Sequence, residues 1–178
     1  NHCNTGTPLM RIVAEKPGYS PYEIPKELQW GGNMEDKYMD AERIVARFYH
    51  YCETHEFLAE SFPNLSADFG PGSVASYLGS GIEFHEDTVW FNEWVEDWEE
   101  TPPLVYSKEG EWYQRHIALV KKCRELVGED FPVCIPDLME NVDVLASLRG
   151  AQDLIFDMVD EPEEIEKRVQ EVTDLYQK

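Results

Sequence analysis

Basic residues are scarce in this chain: 15 Lys and Arg stand against 36 Asp and Glu, for a formal charge of −21. Phosphate backbones and anionic bilayers are held by clustered Lys and Arg, so neither a nucleic acid nor a membrane surface is expected as a partner. Most of the carboxylates read as solvated surface. Long apolar runs are missing as well. None approaches the roughly 18 residues needed to cross a bilayer, and no secretory signal pattern is present. The chain starts at Asn1 without Met, which reads as a trimmed or excerpted polypeptide. Its four cysteines, Cys3, Cys52, Cys123 and Cys134, include no close pair. That argues against a disulfide framework and for reduced thiols in a cytoplasmic protein. Repeats and low-complexity linkers are absent too.

What remains is a composition suited to a folded core. The chain has 178 residues, 42% hydrophobic and 12% aromatic, enough for one domain spanning 1–178. Thr7 to Ala14 reads as a strand ending at Glu15 and Lys16, and Pro17-Gly18-Tyr19-Ser20-Pro21-Tyr22 as a loop. Apolar positions from Tyr38 to Cys52 at helical spacing predict one long helix over 36–60. A second strand is expected at 62–69, closing in Asp68 and a Gly70-Pro71-Gly72 turn, with Ser73 capping a short helix. Trp90, Trp94 and Trp98, four apart, predict a helix from Val89 to Glu100 with one aromatic face, stopped by Pro102-Pro103. Glu111 to Val127 reads as a further amphipathic helix closed by Gly128. A third strand follows at 131–136, then helices to the end, the last capped by Asp160 with Pro162 in its first turn. Strands separated by helices imply right-handed βαβ units and an α/β fold.

The order of these motifs resembles the uroporphyrinogen decarboxylase superfamily, which includes corrinoid-linked methyltransferases. Phe131 to Pro136, a polar cluster from Asp137 to Asp143, Leu145-Ala146-Ser147, Gly150, an aliphatic helix and Asp160-Glu161-Pro162-Glu163 follow that family's sequence of elements. Tyr19-Ser20-Pro21 fits its Tyr-x-Pro loop, and Asn64 to Gly79, then Ile82-Glu83-Phe84, resemble its second strand and the segments after it. The resemblance implies the N-terminal part of a TIM-type (β/α)8 barrel. With Tyr19 and Pro21 aligned, the arginines that hold tetrapyrrole carboxylates in the decarboxylases fall on Ala14 and Gly18, and a substrate-contacting tyrosine falls near Ala146. The resemblance therefore favours the methyltransferase branch. It implies transfer of a methyl group from a small methylated donor in a zinc- and corrinoid-dependent system, with a corrinoid protein as partner and the metal ligands outside this chain. A lyase acting on a tetrapyrrole or another carboxylated substrate is the second reading.

Barrel enzymes build their sites at strand ends, so those positions are the candidates. Asp68, Glu15 and Lys16 are expected to serve in general acid–base chemistry. Tyr19, Asp137, Glu140 and Asn141 are expected to contact substrate, and the acidic set suits a neutral or cationic donor such as a methylamine. His50, Cys52 and His55 form His-x-Cys-x-x-His, but their spacing on a helix is wrong for a zinc pair, so no metal ligand is assigned. A non-catalytic interaction module is the alternative from a different class. It would dock a partner or a second copy through the tryptophan helix and exposed sheet surface.

Overall fold

A computed structural model describes residues 9–20, 23–70, 72–134, 136–138 and 141–177. The chain divides into two compact units, residues 1–66 with 122–134 and residues 67–121 with 135–178. The first unit opens with β1 (Arg11–Glu15), followed by α1 (Met34–Met39), α2 (Ala41–Thr54) and β2 (His55–Ala59). Asn33 caps α1 by accepting the Glu35 N–H at 3.2 Å, and Asp40 caps α2 by accepting the Arg43 N–H at 3.0 Å. The second cap is why the expected continuous helix breaks: Asp40 leaves helical geometry at φ −80°, ψ 91°. Along α2, Ala41 and Val45 are buried, while Phe48 and Tyr49 meet the Phe131 ring edge-on at 4.8 and 5.2 Å. At its end the Lys16 ammonium donates to the carbonyls of Cys52 and Glu53, a favourable place for a cation. His55 turns extended, and β2 pairs antiparallel with β1 from Arg11↔Ala59 to Glu15↔His55.

The second unit holds α3 (Ser73–Tyr77), β3 (Ile82–Phe84), β4 (Val89–Phe91), most of α4 (Glu111–Val127), α5 (Asn141–Arg149), α6 (Ala151–Asp160) and α7 (Pro162–Leu175). Its core joins Val74, Ala75 and Leu78 to Trp98, Leu104, Leu145, Leu148, Leu154, Ile165 and Val172. The turn from α5 to α6 requires Gly150, because its φ of +93° is a backbone conformation that a residue with a Cβ rarely adopts. Arg149 fixes the same turn with two bonds to Asp157, at 2.7 and 3.3 Å, and Trp98 Nε1 donates to that carboxylate at 2.9 Å. Pro162 opens α7, with Glu163 and Glu164 in its first turn. The expected cap, Asp160, is instead the last residue of α6; Glu161 takes the N-cap place without a side-chain bond.

The expected barrel is not formed. Among the described residues the sheets are two antiparallel ribbons, β1–β2 and β3–β4, whereas a TIM barrel needs a closed ring of parallel strands. The stretches expected as strands at 62–69 and 131–136 do meet, but in a single parallel bridge, Leu65 to Val133. Pro63 and Pro132 stand within two residues of that bridge, and proline has no N–H with which to extend a ladder. The expected tryptophan helix is not one either. Val89-Trp90-Phe91 is β-branched and aromatic, and it pairs with Ile82–Phe84. Trp90 is 64% exposed while Trp98 is 1% exposed, so the three tryptophans share no face.

Candidate functional site

In the second unit, a turn and a helix enclose a buried imidazole. Asp68 Oδ1 accepts the Gly70 N–H at 2.8 Å, which closes the turn before α3. Gly70 is required there, at φ +84°, since a Cβ would sit 2.9 Å from the Val89 side chain. From α4, His116 is 2% exposed and lies under the Phe69 ring at 4.2 Å. Its Nε2 is 3.0 Å from the Ala67 carbonyl, and its Nδ1 is 2.5 Å from the Tyr77 hydroxyl. A carbonyl can only accept, so Nε2 carries the proton and Nδ1 accepts from Tyr77. Burial lowers the pKa of His116, against the opposing pull of the Ala67 carbonyl and Asp68. Burial, then the neighbouring phenols Tyr113 and Tyr106, then Asp68, raise that of Tyr77. Both groups are therefore neutral, and Tyr77 is a polarised phenol rather than a phenolate.

Tyr77 also walls an open-sided cavity of about 240 Å³ with Tyr106, Tyr113 and Tyr176, lined as well by aliphatic groups that include Ile117 and Leu175. Tyr77 and Tyr113 meet at 5.5 Å with planes at 77°, forming a corner, and Tyr106 stacks on Tyr113 at 5.4 Å. The Tyr176 hydroxyl donates to the Leu138 carbonyl at 3.0 Å. Among the described residues no Lys, Arg, Asp or Glu lines this cavity. Two carboxylates nevertheless act on its walls: Asp68 contributes to the raised pKa of Tyr77, and Asp137, after burial, to that of Tyr176. Aromatic faces in a negative field form a receptor for a small cation.

The residues singled out in the sequence are distributed as follows. Asp68 lies at the turn beneath His116, Asp137 is exposed beside Tyr176, and Asn141 opens α5 with its amide bonded to the Thr173 hydroxyl. Glu140 lies outside the described residues. Glu15, Lys16 and Tyr19 belong to the first unit. There Glu15 is exposed opposite His55, Lys16 caps α2, and Tyr19 is 54% exposed. His50 and Cys52 lie on α2 and His55 on β2. Among the described residues, no group of three or more His, Cys, Asp or Glu is placed to hold a metal ion. Sequence reasoning passed over His116 and the four tyrosines. A faint signal was there, because Tyr113, His116 and Ile117 recur at three- and four-residue spacing on one face of α4. No family model, curated protein or solved structure matches this chain.

Proposed function

We propose that the chain binds a small methylated ammonium compound and presents it for methyl transfer. The observation that carries this reading is the tyrosine-walled cavity, with its corner of aromatic faces and its flanking carboxylates Asp68 and Asp137. A cavity of about 240 Å³ admits a cation of a few heavy atoms. Methylammonium groups are bound through aromatic faces because their charge is spread over methyl hydrogens that make poor hydrogen bonds. In the transfer, an electron-pair donor brought by the partner protein would form the new bond to the methyl carbon as the N–CH3 bond breaks; the nitrogen keeps the electron pair of the broken bond and leaves as a neutral amine.

This chain's part is binding and orientation. Zinc and a corrinoid would supply the methyl-accepting chemistry, but the described residues offer no ligand set for a metal. In this reading both come with a partner protein. A carboxylated substrate fits the cavity poorly, since no cation lines it among the described residues.

Tetramethylammonium titration of the protein, followed by tyrosine fluorescence, tests the reading. Saturable binding is expected, weakened about tenfold or more by Tyr113→Ala and little changed by Tyr113→Phe, which keeps the ring face. Binding that is absent, or equal in Tyr113→Ala, would sink the proposal.

A further inference from the structure

Arg47 is half-buried in the first unit of a chain carrying −21, yet among the described residues it meets no carboxylate. Its Nη1 donates to the Leu28 carbonyl at 2.8 Å, and its plane lies over the Trp30 ring at 4.8 Å. Burial, and then the neighbouring cation Arg43, lowers its pKa. A guanidinium has five N–H donors. The contacts among the described residues occupy one, leaving Nε and Nη2 side by side, the fork that matches two oxygens of a carboxylate or phosphate.

The surroundings suit such a ligand. Arg47, His50, Tyr51 and Thr54 stand three and four residues apart on one face of α2. With His55, Ser20 and Ile24 they wall a cavity of about 280 Å³. In a chain with 36 Asp and Glu, no carboxylate lines this cavity among the described residues. His55 is held in a defined state. Its Nδ1 lies 2.9 Å from the Tyr51 carbonyl and 2.9 Å from the Thr54 hydroxyl, whose own hydrogen goes to the His50 and Tyr51 carbonyls. Nδ1 therefore donates, and Nε2 is the ring nitrogen left to face a ligand. Stacking on Tyr51, at 3.9 Å and 27°, fixes the ring plane. His50 makes no side-chain hydrogen bond among the described residues, so it too is available.

We propose that this cavity is a binding site for a small organic oxyanion, a phosphate monoester or a carboxylate, gripped by the Arg47 fork and flanked by His50 and His55. It stands independently of the methyl-donor reading, being built in the other unit from residues of opposite charge preference.

The test is a titration of the whole chain at constant ionic strength with inorganic phosphate and, separately, with acetate, following the imidazole and guanidinium resonances. Saturable shifts of His50, His55 and Arg47 are expected. Tighter phosphate binding assigns a phosphate monoester, and tighter acetate binding a carboxylate. Arg47→Gln should weaken the better anion about tenfold or more, in line with the loss of a charge-assisted pair, and His50→Gln several-fold. Failure of both anions to saturate overturns the site, as does an Arg47→Gln protein that binds like the parent. Should that variant not fold, Arg47→Lys keeps the charge and loses the fork: weaker binding supports the proposal, and unchanged binding overturns it.

Discussion

Two arginines, one in each unit, separate what builds this protein from what is left over for ligands. In the second unit Arg168 is 2% exposed and every donor is used. Nε bonds Glu164 at 2.8 Å, Nη1 bonds Glu171 at 3.1 Å and the Pro102 carbonyl at 3.0 Å, and Nη2 bonds the Trp98 and Thr101 carbonyls at 2.5 and 2.7 Å. In the first unit Arg47 has, among the described residues, a single carbonyl and a ring face. A buried cation whose donors are all answered is architecture: it ties α7 to the loop after Trp98. A half-buried cation whose donors are mostly unanswered holds binding capacity in reserve.

The comparison can be broken by removing each charge. Arg168→Met should cost about 3–5 kcal/mol of unfolding free energy, because Glu164, Glu171 and three carbonyls each lose a buried charged donor. Arg47→Gln should cost about 1–2 kcal/mol, since one charge-assisted hydrogen bond and one cation–ring contact are lost. Urea unfolding followed by circular dichroism reads both, and equal losses would end the distinction. The apolar cores can be contrasted in the same way. Leu148 is fully buried in the core of the second unit, and Leu148→Ala should cost about 2–5 kcal/mol. Leu58, on β2, is 43% exposed, and Leu58→Ala should cost well under about 1 kcal/mol in the same assay.

The sequence was readable in these units to different depths. Helix α4 appears over the residues its periodicity predicts, and α7 begins where Pro162 and the acids after it point. Both signals are local, since a helix is specified within a few turns. Strand pairing is not local, and there the reading failed. The apolar stretches at 62–69 and 131–136 meet at one bridge, and β1 pairs with residues 55–59 that helical spacing had claimed. Nothing in a residue pattern says which strand edge finds which. The site was legible only in part for the same reason. Asp68 and Asp137 were visible as acids in loops, but the tyrosines gather from α3, α4, a loop and the chain end, and only tertiary packing brings them together.

The smallest effect expected sharpens the comparison at the imidazole of the second unit. His116 is held neutral, with Nε2 donating to Ala67 and Nδ1 accepting from Tyr77. Its pKa is lowered from the ordinary 6.5, chiefly by burial. When the chain unfolds, the imidazole reaches water and takes a proton near that ordinary value. Below it, then, the unfolded state binds more protons than the folded one, and stability falls with pH until the folded pKa is reached. Above about 6.5 the full contribution is present. One proton sets the ceiling, about 1.4 kcal/mol per pH unit, and a partial difference gives less. Unfolding free energies of the parent and of His116→Gln, compared from about pH 7.5 down to about pH 5, isolate this proton from the carboxylates, which titrate in both proteins. The parent should lose stability faster than the variant over that interval. Parallel curves would mean that His116 is as free to protonate in the folded chain as out of it, and Nδ1 would no longer be the acceptor that polarises Tyr77.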